Sequence, residues 1–225
     1  TTGLEFEGTL TAPAGSAAIS PLTTIVQAYL ENLEAEGITG SYAKAIDEAV
    51  SAVLESLGLP EGVDLTSYDP IAAYENGTPE EKAAALQVQQ SAAQVANVLA
   101  IAASTGIDSA DVAASLAATI ADPTAGSLNL GDSSFLLDVL TEAATAAGDS
   151  AALDVLEVAG EVLLDNLAAL NSQVAEATDL SSVFSTQETA QGDLADLVDA
   201  VAGEGPAWFG LPQIELLENL KAGAE

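Results

Sequence analysis

"AAALQVQQSAAQVANVLAIAASTGI", residues 83–107, carries no charged side chain in a chain that holds 35 Asp and Glu. With successive side chains about 100° apart on a helix, Gln87, Gln90, Gln94 and Asn97 fall within an arc of about 80°. Val98 and Ile101 continue that arc, while Val88, Val95 and Leu99 line the opposite side. A helix apolar on both sides of its second half belongs inside a fold. Just upstream, Thr78, Pro79 and Glu81 spell a capping box with proline at the first helical position. The spacing therefore predicts an uncharged helix over about 79–104 at the centre of a bundle, where a charge would cost most and an amide can be satisfied by hydrogen bonds.

Outward from that helix the periodicity stays helical. Ser20-Pro21 is a cap and first-turn pair, and Leu22, Ile25, Val26, Tyr29, Leu30 and Leu33 make one apolar face before Gly37. Ser41 opens a second helix with Tyr42, Ile46, Ala49, Val50, Val53 and Leu57 on one face, stopped by Gly58. "LPEGVDLTSYDP" reads as a loop, with Pro60, Gly62 and Pro70 as breakers. Further helices are expected at about 109–121, 133–147, 150–176 and 186–202, with a short terminal one at about 212–222. In the 150–176 segment Leu153, Leu156, Gly160, Leu163, Leu167, Leu170 and Val174 recur at 3-4 spacing, the seam of a close helix pair in which Gly160 permits approach. Only the first residues differ: Leu4, Phe6 and Leu10 alternate with Glu5, Glu7 and Thr9, a strand-like pattern.

The expectation is thus an all-α fold, a bundle of seven or eight helices around the central uncharged one, with a short N-terminal strand-like extension. The boundaries drawn from sequence are an extension or linker over 1–20, a helical bundle over 21–203, and a hinge with a short terminal helix over 204–225. A division near 123–131 is left open. Composition agrees: hydrophobic residues are 49% of the chain and aromatics 4%, so Ala, Leu, Val and Ile must build the core. Ala and Leu lead the helix scale, whereas strands favour aromatic and β-branched residues.

The formal net charge is -32, with Lys44, Lys82 and Lys221 the only cations and no His. Such a chain repels phosphate backbones and anionic headgroups, which argues against nucleic acid and peripheral membrane partners. The longest strictly apolar run, Val98 to Ala103, is far short of the ~20 residues of a membrane span. Acids too numerous to pair repel one another, as Glu157, Glu161 and Asp165 do at i, i+4 spacing. Salt relieves this, because the screening length falls to about 3 Å at 1 M. A saline, extracellular or cell-surface setting is expected. Cysteine is absent, so disulfide and thiolate chemistry are out. Methionine is absent too, and Thr1 is read as the start of a processed or excised piece rather than of translation.

Motifs that carry chemistry have plainer readings here. "SYAK", Ser41 to Lys44, matches the S-x-x-K of serine acyl enzymes, but its companion motifs are missing and Ser41 stands where a helix cap belongs. Carboxylate pairs of the glycosidase kind arise by coincidence among so many acids, and the aromatic platforms of a sugar cleft are scarce. No catalytic residue is assigned. Asp64 with Asp69, and Asp132 with Asp138, are the best calcium candidates, yet no EF-hand loop occurs and caps or turns explain them; no metal ligand is assigned, and calcium is expected only as a weakly held ion. Gln87, Gln90, Gln94 and Asn97 have two readings, a hydrogen-bond network between helices or the lining of a cavity for a small apolar ligand. Trp208 and Phe209, set among glycines and prolines, are the candidate partner contact.

"GTLTAPAGSAAISPLTTIV", "LGLPEGVDLTSYDPIAA", "QVQQSAAQVANVL" and "TAQGDLADLVDA" together resemble a helical module that recurs in very large secreted bacterial proteins, adhesin-like chains of the RTX or cadherin-repeat kind. The likeness spans residues 8 to about 200, and its most specific parts are Pro21-Leu22-Thr23-Thr24 and Tyr68-Asp69-Pro70; "AWFGLPQIELLENLKAGAE" lies outside it. The resemblance implies an extracellular, multidomain setting with neighbouring domains of the same polypeptide as partners, and no activity. The expected function is a non-catalytic structural or interaction module. The alternative is a helical carrier that holds a small apolar ligand or pigment in the bundle interior.

Overall fold

The computed structural model describes residues 6, 8–37 and 40–194. Within them the protein is all-helical, with eight α-helices: α1 (Pro21–Glu36), α2 (Tyr42–Ser56), α3 (Pro70–Asn76), α4 (Pro79–Ser104), α5 (Ser109–Ala121), α6 (Ser133–Ala147), α7 (Ser150–Glu176) and α8 (Leu180–Thr189). A π-helical turn, Ala190–Leu194, follows α8.

A side chain caps the start of each of the eight described α-helices. Ser20 and Thr78 close capping boxes on α1 and α4, Ser41 caps α2, and Asp69, Asp108, Asp132, Asp149 and Asp179 cap the remainder. Aspartate suits that place because its carboxylate accepts from free first-turn amides and lies at the positive end of the helix dipole. A fair share of the excess acid is spent in this way. Gly148, at φ 70 and ψ 23, ends α6 in the left-handed conformation that a side chain resists.

α4 is the hub. It packs against α1, α3, α5, α7, α8 and the π turn. From Val95 to Ala102 every residue is buried, on all sides of the helix. The rod is not neutral from its first residue: Glu80, Glu81 and Lys82 occupy the first turn, which lies at the surface, and the charge-free part begins at Ala83. The aliphatic core around it runs continuously from Leu22 to Ala190. Removing each large side chain such as Leu99 or Ile101 from water contributes about 1.5–3 kcal/mol.

The division considered near 123–131 does not part this core. Leu128 and Leu130 are buried, and the Leu128 amide donates to the Ser56 carbonyl at 2.9 Å, which ties the loop to the end of α2. Gly160 behaves as expected, for a Cβ there would stand 3.3 Å from Leu137 Cδ1, so α7 runs close against α6.

Three expectations need correction. No strand forms among the described N-terminal residues; Leu4, Glu5 and Glu7 lie outside them. Among the described residues the arm has no strand to pair with, and its backbone bonds to side chains: the Thr11 amide donates to Thr24 Oγ1 (3.0 Å) and Thr23 Oγ1 donates to the Thr11 carbonyl (3.0 Å). Further on, the Ala17 and Ala18 amides both donate to the Thr66 carbonyl, at 2.8 and 2.9 Å. Second, Pro70 opens a helix rather than breaking one, because its missing N–H costs nothing at a first-turn position and Asp69 caps the next amides. Third, the last described helix begins at Leu180, not near 186, since Asp179 caps it and Leu180 and Val183 are buried, Val183 packing with Ala93 and Val174. The expected continuation beyond Leu194 and the short helix at about 212–222 lie outside the described residues.

Candidate functional site

The amide row is brought against the C-terminal third of α7. Gln90 Nε2 donates to the carbonyls of Ala175 (2.9 Å) and Ala177 (2.8 Å), and Gln94 Nε2 to that of Asn171 (2.8 Å). The carbonyls of Ala175 and Ala177, at the helix end, lack a helical amide four residues on, so Gln90 of α4 supplies what α7 itself cannot, while Gln94 adds a second donor to the Asn171 carbonyl. Deeper in, Asn97 Nδ2 donates to Asn171 Oδ1 (3.1 Å), Asn171 Nδ2 to the Leu130 carbonyl (2.9 Å), and Gln191 Nε2 to Asn97 Oδ1 (3.1 Å). Asn97 and Asn171 are both wholly buried. One chain of amides therefore joins α4, α7, the loop before α6 and the π turn.

Gln87 is the exception. It is exposed and stands outside the network, on the side of the helix away from buried Ala85 and Val88. Sequence reading also missed the partners on the far side. Asn171 and Asn166 interrupt a leucine-rich helix, and that interruption was the available signal. Asn166 donates Nδ2 to the Val162 carbonyl at 2.8 Å, while its buried Oδ1 has no partner among the described residues.

Of the row, Gln94 lines a cleft of about 280 Å³ that also touches Ser91, Asn129 and Glu176. A larger groove, about 530 Å³, lies between the N-terminal arm, the loop before α3, and α4, with Gln187 of α8 at one side. Tyr68 lines it, and its hydroxyl is held above the usual range by burial and by the Glu81 carboxylate.

The remaining candidates serve local structure. Ser41 Oγ accepts from the Lys44 amide at 3.3 Å, the bond of a helix cap. Asp64 folds its own loop, accepting from the Thr66 amide (3.0 Å), the Thr66 hydroxyl (2.6 Å) and the Ser67 hydroxyl (2.7 Å). The hydroxyls of Thr66 and Ser67 hold its carboxyl below the ordinary value. Asp69 Oδ1 accepts from the amides of Ile71 and Ala72, and Asp132 Oδ1 from those of Ser134 and Phe135, while Asp138 stands exposed on α6. Lys82 donates to the Glu75 carbonyl at 3.1 Å, a cation at the negative end of α3. Trp208 and Phe209 lie outside the described residues.

Among the described residues no three His, Cys, Asp or Glu side chains stand together as a metal group, and no helix is long and apolar enough to cross a membrane. Compared with known proteins, the chain matches no family model, no curated protein and no solved structure.

Proposed function

We propose that the chain is a non-catalytic structural or interaction module of a large secreted or cell-surface protein that works in a saline medium. The observation that carries this reading is the use made of the polar interior. Gln90, Gln94, Asn97 and Asn171 spend their amides on backbone carbonyls and on one another, which locks two long helices together. A network so satisfied rigidifies a core and specifies one packing. The acids support it from outside, for no described Asp or Glu is buried, and a surface of that kind gains from screening by salt or by weakly held calcium. The likeness of the 8–200 segment to adhesin-like modules accords with a bead in a longer string.

Immobilised protein, exposed in seawater-like salt to cells, extracellular matrix and neighbouring domains of its own polypeptide, is expected to retain at least one of them. Retention of none, by a protein that is folded under the same conditions, overturns the reading. The carrier alternative finds less support in the interior, where three members of the amide row are already bonded to protein.

A further inference from the structure

The 530 Å³ groove is a place where three parts of the chain that are distant in sequence meet over an apolar floor. Leu22, Leu65 and Val88 form that floor and are themselves buried in the core. Ile19 stands at the rim and is 68% exposed, a cost that an apolar occupant would remove. The volume lies within the roughly 300–1,000 Å³ range of small-molecule sites.

Among the described residues that line the groove, Asp69 is the one that carries a charge. Asp69 brings a carboxylate whose Oδ1 is taken by the Ile71 and Ala72 amides, whereas its Oδ2 accepts no bond from the described residues. The side chains of Gln89 and Gln187 are half-buried and likewise make no hydrogen bond to a described residue, so each amide can accept through Oε1 or donate through Nε2. No Lys lines the groove. Glu81 adds negative potential beside the Tyr68 hydroxyl. In a chain of net charge -32 an anionic amphiphile is repelled from such a place, and a neutral one gains no charge pairing with Asp69 Oδ2.

We propose that this groove binds a small organic ammonium ion, its alkyl body on Leu22, Leu65 and Val88 and its head between Asp69 Oδ2 and the Tyr68 ring. The body gains by leaving water, and the head gains both the carboxylate and the aromatic face. The site stands apart from the module role above, since neither the amide network nor any retained partner is required for it.

The test is an NMR titration of the full chain with hexylammonium at fixed seawater-like ionic strength, with hexanol and hexanoate as neutral and anionic probes. Saturable shifts are expected at residues 19–22, 67–71, 89 and 187, with the two other probes bound more weakly. Asp69→Asn keeps the cap that a helix start needs and is expected to weaken hexylammonium about fivefold, the limit for one exposed charge pair. Asp138→Asn removes the same charge from exposed α6 and is expected to change it less than about twofold. Equal loss in the two variants, hexanoate binding as well as hexylammonium, or shifts scattered over the acidic surface overturns the proposal.

Discussion

Asn97 on α4 and Asn171 on α7 meet side chain to side chain at 3.1 Å, wholly buried, 74 residues apart in the chain. Neither amide is left open on its far side, for Asn97 accepts from Gln191 and Asn171 donates to the Leu130 carbonyl. Removing one member strands the others in an apolar surrounding.

Asn171→Ala is therefore expected to destabilise the protein by about 2–4 kcal/mol, a cavity plus unpaired polar groups on Asn97 and Leu130. Gln87→Ala, at the exposed end of the same row, should stay within about 0.5 kcal/mol. Urea unfolding of the two variants separates a structural network from a mere run of amides; equal effects would refute it.

At the start of α2, Ser41→Ala is expected to cost about 1 kcal/mol and Ser41→Asn almost nothing, because both Ser and Asn accept from the first-turn amides. Amide exchange should quicken in the first turn of α2 in the alanine variant alone.

Cap titration has a definite sign. Hydrogen bonds from the Ser182 amide and the Ser181 hydroxyl hold the Asp179 carboxyl below its ordinary value. A carboxyl depressed in the folded state contributes stability above its unfolded value of about 3.9 and loses it as the pH falls through the lower folded value. The stability gap between the native chain and Asp179→Ala should accordingly be flat from about pH 7 to 5 and shrink below about pH 4. Thermal unfolding across that range checks it, and a gap that widens in acid would reverse the argument.

Added salt should raise the urea midpoint steadily. Glu157 and Glu161 stand exposed one turn apart on α7, where like charges destabilise a helix, and screening to a few ångströms at about 1 M removes most of that repulsion. Sodium chloride titration of the midpoint is the measurement. A midpoint insensitive to salt would count against the saline setting.

Much of the fold was written in local chemistry. Neutrality over 83–107, the capping box at Thr78, and the 3-4 leucine seam of α7 are short-range patterns, and a buried helix needs little more to be recognised. Ser41 as a cap and Gly160 as a point of approach were legible for the same reason, since each acts on the turn it occupies or the helix alongside. The N-terminal arm shows where locality stops: its alternation at Phe6 to Leu10 suits a strand, but a strand exists only if another chain segment pairs with it. Here the Thr9 amide donates to Ser109 Oγ instead, and further along the arm the threonines of α1 and the Thr66 carbonyl take the backbone bonds of Thr11, Ala17 and Ala18.

The sequence by itself determined that the described residues are helical, that their acids stay out of the core and that one helix must lie inside, because periodicity and the cost of burying charge act residue by residue. Only the tertiary structure decided which amides of α4 are structural and where a groove opens. Gln87 and Gln94 share one stripe, yet Asn171 and the end of α7 meet the second and not the first, and Tyr68 and Gln187 come to the same groove from 119 residues apart. Such choices depend on which distant segment arrives opposite a given turn, and that is a property of the packed whole.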